Sequence, residues 1–218
     1  MERAAYLARN LRAMDEIGLF PLGLVLLPGE QVPLHIFEDR YRELIGECLD
    51  EGLEFWLVLL DDEGLREIGT RAAVTDVLER FDDGRLNVVV EGRERFRIVA
   101  LTPGRTFQTA EVEPGGDDAE AAGPAPEDVA RAVARFRALA EIAGVDVEDV
   151  EPDPQRPSFD LAARVELEAP LKQELLEQRS EPERLRTLAR MLGRAARTLR
   201  IQRERAHIAA GNGHIPRA

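Results

Sequence analysis

Residues 18–52 read GLFPLGLVLLPGEQVPLHIFEDRYRELIGECLDEG. The apolar run over residues 19–27 predicts a buried strand, closed by the turn signal Pro28-Gly29. "QVPLHIF" then predicts a second, shorter extended piece. Pro33 has no N–H to give a ladder, so this piece belongs at a sheet edge or a bulge rather than in the middle of a sheet. Phe37, Tyr41, Leu44, Ile45, Cys48 and Leu49 recur at three- and four-residue spacing and predict an amphipathic helix, with Gly52 where a left-handed terminating glycine belongs.

Moving outward, "EFWLVLL" (54–60) lacks alternation and predicts a strand buried on both faces. Residues 67–81 predict one or two more strands, and Asp83-Gly84 a hairpin turn. In "RLNVVVEGRERFRIVA" the residues Leu86, Val88, Val90, Phe96, Ile98 and Ala100 share one parity. Asn87, Glu91, Arg93, Arg95 and Arg97 share the other, so the first set faces a core and the second faces solvent. Gly92 between them predicts a bulge or bend. Residues 106–113 offer one further strand. Five to seven strands with one early helix predict a mostly antiparallel, partly closed β-barrel carrying one packed helix.

Composition then changes. "EPGGDDAEAAGPAPED" has nothing to bury and reads as a linker. Beyond it the patterns are helical: 127–143, 158–168, 170–178 and 181 to about 207. The whole is an α+β chain divided as an extension at 1–17, a barrel at 18–113, a linker at 114–126, a helical bundle at 127–208 and a disordered tail at 209–218. In the last helix Leu185, Leu188, Ala189, Leu192, Ala195, Ala196 and Leu199 form one stripe. Arg184, Arg186, Arg190, Arg194, Arg197, Arg200 and Arg203 surround it.

Several kinds of chemistry are excluded by count. Lys172 is the only lysine and stands in no G-x-x-x-x-G-K-[ST] context, so no P-loop exists. The two serines, Ser158 and Ser180, stand in no G-x-S-x-G context and sit where helix N-caps are expected; a Ser–Lys dyad with Lys172 is left open by composition alone. With three histidines (His35, His207, His214) and the single cysteine Cys48, no zinc signature can be written and no internal disulfide can form. No catalytic residue, metal ligand or cofactor site emerges. A net charge of −13 opposes phosphate-rich and anionic-lipid partners. No apolar stretch approaches the roughly 20 residues of a membrane span, and no signal peptide is visible, so the reading is cytoplasmic.

Three phrases in order carry a resemblance. "FPLGLVLLPGEQVPLHIFEDRYREL", "LREIGTRAAVTDV" and "DDGRLNVVVEGRERFRI" together resemble the N-terminal substrate-binding domain of Lon proteases. "FDLAARVELEAPLKQELLEQRSEPERLRTLARML" resembles the helical part of the same family. The resemblance implies a PUA-like barrel followed by a helical bundle. It also implies a stand-alone, non-catalytic domain that binds unfolded or client polypeptides, with an adaptor or chaperone-like role in protein quality control. A separate ATPase or protease would be its partner, and the oligomeric state is left open.

Two surfaces are candidates. For a polypeptide, the segment holding Pro28, Val32, Pro33, His35 and Phe37 offers a broken ladder beside apolar groups. Leu34, Ile36 and Phe37 are also read as core. For the alternative, an RNA-binding PUA-like protein, the basic face is Arg190, Arg194, Arg197 and Arg200. Residues 184–205 carry a net +7, leaving −20 for the rest of the chain. That helix has no interleaved aromatics for base stacking, which weighs against nucleic acid and for internal charge compensation.

Overall fold

The computed structural model describes residues 18–104, 106–118, 123–147 and 150–211, with side chains described as far as residue 206. The expected extension 1–17 and residues 212–218 of the expected tail lie outside the described residues. Residues 209–211 continue the last helix.

By contacts the chain divides into two units: residues up to Ala119 together with Ala162–Arg179, and Glu120–Leu161 together with Ser180 onward. The first unit contains strands β1 (Leu19–Leu22) and β2 (Gln31–Ile36), helix α1 (Asp39–Glu51), and strands β3 (Phe55–Asp61), β4 (Gly64–Arg80), β5 (Leu86–Thr102) and β6 (Thr109–Pro114). The strands form one mixed sheet of order β1-β3-β4-β5-β2, with β6 also paired to β5. β1 and β3 run parallel and the other pairs antiparallel. The sheet does not close. Among the described residues, β1 and β6 are linked only through an isolated bridge, Gly18 to Thr109, where Leu19 N donates to Gln108 O at 2.7 Å.

Two apolar clusters explain why β3 shows no alternation. Phe55 and Leu57 join Phe20, Tyr41, Ile45 and Val88 in the core under α1. Trp56 and Val58 join Leu19, Phe96 and Ala110 in a second core on the opposite face. At the predicted Gly92 irregularity the β4–β5 register slips, from Thr70 opposite Arg95 to Ala72 opposite Gly92. Gly92 also bonds to the preceding turn, its carbonyl accepting from Gly29 N at 2.8 Å and its N–H donating to Glu30 O at 2.9 Å. A Cβ there would stand 2.2 Å from Leu27 O, so only glycine permits this approach.

Several expectations are corrected. The first strand stops at Leu22; Val25, Leu26 and Leu27 are buried outside any strand. Their backbone groups are met by side chains, Thr70 Oγ1 donating to Leu26 O at 2.6 Å and Leu27 N donating to Glu30 Oε2 at 2.9 Å. Burial there needs no ladder. Phe37 is neither core nor helical: α1 starts at Asp39, and Phe37 is 60% exposed. Arg95 is buried rather than solvated, because helix α4 (Ala169–Glu177) lies over its face of β5. Its guanidinium donates to Leu176 O at 2.8 Å and Gln178 O at 2.7 Å and pairs with Asp117. It thereby satisfies carbonyls that the end of α4 leaves without helical partners. Gln173 Nε2 further ties α4 to Ile68 O at 3.1 Å.

The second unit holds α2 (Pro126–Ala143), the greater part of α3 (Pro157–Ala163) and α5 (Glu181–Gly211). α2 packs along α5 through Ala132 and Phe136 on one side and Leu185, Leu188 and Leu192 on the other. The helix expected over 158–168 ends at Ala163. Arg184 is 1% exposed, not on the wet face. Its guanidinium lies 4.1 Å over the Phe159 ring, donates to Ser158 Oγ at 2.8 Å and pairs with Glu181. Ser158 lies inside α3 rather than capping it. Its N–H and Oγ–H both donate to Glu181, at 2.7 and 2.8 Å.

Candidate functional site

β2 ends the sheet. One side of it pairs with β5 from Gln31–Glu91 to Ile36–Leu86, and the other side has no ladder partner among the described residues. An edge strand presents its unpaired backbone groups as a template for a further strand. Pro33, opposite Val89, withdraws one donor from this strand. Alternation directs Ile36 into the core, with Val32 and Leu34 half-buried against it, while Gln31, Pro33 and His35 are exposed.

The exposed row is fixed by cross-strand bonds. Gln31 Nε2 donates to Glu91 Oε2 at 3.1 Å. His35 Nδ1 lies 2.7 Å from Asn87 Oδ1, and Asn87 Nδ2 donates to Glu79 Oε2 at 3.0 Å. Held this way, the His35 ring stacks on Phe37 with centroids 5.9 Å apart and meets Phe81 edge-on at 6.0 Å. Arg85 lies 5.0 Å over the Phe81 ring. The free edge therefore runs into an aromatic patch built from the end of β2 and the β4–β5 hairpin.

Of the five residues named from the sequence, the fold brings His35 and Phe37 together beside exposed Pro33 and half-buried Val32. Pro28 is buried in the turn and offers no surface. Phe81 was missed. Its one local signal is its place just before the Asp83-Gly84 turn, where Gly84 takes φ +84° and Phe81 N donates to Arg85 O at 3.0 Å. Such an edge can add a strand through main-chain hydrogen bonds, with flanking side chains selecting the sequence.

Arg190, Arg194, Arg197 and Arg200 are exposed along α5, with Arg190 donating to Thr187 Oγ1 at 2.9 Å. No aromatic side chain stands between them. Ser158 is engaged with Glu181 and Arg184, and Lys172 with Glu30. Among the described residues no three His, Cys, Asp or Glu side chains gather where they could hold a metal ion. No described helix is long and apolar enough to cross a membrane.

Comparison with known proteins agrees with this architecture. Residues 16–194 match the model of the ATP-dependent protease La (LON) substrate-binding domain. Lon protease 2 of Desulfotalea psychrophila is 27% identical over 205 residues, which span 85% of this chain and 26% of that protein. Lon protease 1 of Hydrogenovibrio crunogenus is 26% identical over 98 residues, 41% of this chain and 12% of that one. The chain thus spans about a quarter or less of the curated relatives it matches. Among solved structures, a Lon N-terminal domain protein from Xanthomonas campestris superposes with TM-score 0.59 at 28% identity, over 79% of this chain and 95% of that one. The N-terminal domain of a Mycobacterium avium complex Lon protease gives TM-score 0.62 at 24% identity, over 81% and 97%, and supports the fold.

Proposed function

This chain belongs to the Lon substrate-binding domain family, and from that premise we propose that it is a non-catalytic polypeptide-binding module whose contact surface is the free edge of β2. The observation that carries the reading is the open strand Gln31–Ile36 ending in the His35–Phe37–Phe81 patch. An extended segment of an unfolded or client protein would add to that edge, with an aromatic or aliphatic side chain on the patch. Acting this way, the module serves as an adaptor or chaperone-like element that presents clients to an ATPase and protease.

Fluorescence anisotropy of a labelled, permanently unfolded protein, titrated with this chain at low and high salt, tests the reading. Salt-insensitive binding that Phe37→Asp weakens supports it, and no binding by the folded chain defeats it.

A second reading rests on the exposed arginines of α5 inside a segment of net charge +7. Labelled RNA run in parallel would then bind with log K falling steeply with log salt, and the slope would shrink when Arg190, Arg194, Arg197 and Arg200 are neutralised.

A further inference from the structure

Pro33 lies in the middle of β2, and the direction its missing N–H would take follows from the bonds around it. Along an antiparallel pair, residues whose N–H and C=O both face the partner strand alternate with residues whose groups both face away. Gly92 faces β2, since its N–H donates to Glu30 O at 2.9 Å and its carbonyl accepts from Gly29 N at 2.8 Å. From there the register is unbroken, Gln31 opposite Glu91 through to Ile36 opposite Leu86, so Val32, Leu34 and Ile36 are turned toward β5. Gln31, Pro33 and His35 are turned to the free side. Val89, opposite Pro33, agrees: its carbonyl is met from β4 by Thr75 Oγ1 at 3.3 Å. Pro33 therefore takes no bond from the β5 ladder. The donor it removes belongs to the edge.

What the edge offers is the N–H groups of Gln31 and His35 and the carbonyls of Gln31, Pro33 and His35, with no partner for them among the described residues. Sheet edges are ordinarily protected from one another by charge, by a bulge or by proline. β2 carries no Asp, Glu, Lys or Arg, and its pairing with β5 has no register shift, so Pro33 is the one such device within the strand.

Two copies of one edge pair about a two-fold axis, each strand meeting itself antiparallel. Centred on Pro33, that pairing joins Gln31 of each copy to His35 of the other, but the two Pro33 carbonyls face each other with no N–H between them. Centred on Val32 or Leu34, it sets Pro33 opposite Gln31 or His35, whose carbonyl then finds no donor. A different chain has no such conflict, because it brings its own N–H to Pro33 O. We infer that Pro33 selects the partner of this edge: it bars a second copy of the chain and admits an extended segment of another polypeptide with a non-proline residue opposite Pro33. The second half of the inference rests on the polypeptide-binding reading; the first does not.

Pro33→Val restores the N–H on a side chain suited to a strand. Sedimentation equilibrium of the full chain is expected to show self-association strengthened on the order of tenfold or more over the parent, since each copy in the pair gains a donor. Adding Gln31→Pro removes an outward donor at the first strand residue, where proline is tolerated, and is expected to return association to the parent level. At chain concentrations below self-association, Pro33→Val is expected to bind the labelled unfolded protein no more weakly than the parent does. Should Pro33→Val fail to fold by circular dichroism, Pro33→Ala restores the same N–H with a smaller side chain. Unchanged self-association in the folded variant overturns the inference, and so does association that Gln31→Pro leaves in place. Weaker binding of the unfolded protein by Pro33→Val overturns its second half. If Pro33→Val associates while neither chain binds the unfolded protein, the bar on self-pairing stands and the polypeptide-binding reading falls.

Discussion

Lys172 reaches from α4 to the carboxylate of Glu30 in the turn that leads into β2, and that carboxylate also accepts Leu27 N at 2.9 Å. Both side chains are largely buried, at 13% and 9% exposure. The only lysine in the chain thus joins α4 to the start of the candidate edge. Lys172→Met keeps the aliphatic stem and leaves Glu30 without its cation, so it is expected to destabilise the sheet unit by about 2–3 kcal/mol. Urea unfolding measures this. A loss below about 0.5 kcal/mol, the level of an exposed pair, would refute it.

Gly92 makes a second prediction. A methyl group at this position collides with Leu27 O at 2.2 Å and forces the turn away from β5. Gly92→Ala is expected to cost about 1–3 kcal/mol, the usual range for overpacking. Gly116, where an added Cβ meets nothing within 4 Å, is the control.

In the helical unit, Arg184→Ala would leave the Glu181 carboxylate buried with only Ser158 as partner. Removing one member of a buried ion pair typically costs about 3–5 kcal/mol. Loss of helical circular dichroism at correspondingly lower urea is the expected result. An unchanged midpoint would mean that the network carries no stability.

Burial pushes the Cys48 thiol up to about 12, with Glu47, Glu54 and Glu51 adding to the rise. The folded state therefore keeps its proton where the unfolded thiol, at an ordinary value near 9, has lost it. The stability this contributes is complete below about pH 9 and is lost as pH rises towards 12. Iodoacetamide at pH 8 is expected to label Cys48 only as fast as the fold opens, and Cys48→Ala to flatten the alkaline loss of stability. Fast labelling of the native chain would contradict the burial.

Local pattern revealed those elements whose environment follows from neighbours in sequence. Phe55 and Trp56 take opposite faces, and both faces are buried, so the uniform apolar run of β3 was readable. Pro33 marked β2 as an edge, and Gly92 marked the bulge. Phe37 misled because its spacing fits the helix, yet β2 ends at Ile36 and α1 begins only at Asp39, so Phe37 lies exposed between them. Arg95 could not be placed from sequence, since what covers it is α4, far along the chain. Arg184 was within reach: it precedes Leu188 and Leu192 at helical spacing, on the buried stripe, but its charge argued for water. One of the three members of the aromatic patch was hidden in the same way, because Phe81 meets His35 only through the pairing of β2 with β5.

The central claim concerns the free side of β2, and hydrogen–deuterium exchange resolved along the backbone tests it most directly. Exchange of Gln31–Ile36 is compared with and without a permanently unfolded protein at saturating concentration. Polypeptide addition to the edge predicts slowed exchange in β2, at the N–H groups that β5 leaves unpaired, with α5 unchanged. Protection confined to α5, or none anywhere while the ligand is bound, would contradict the account.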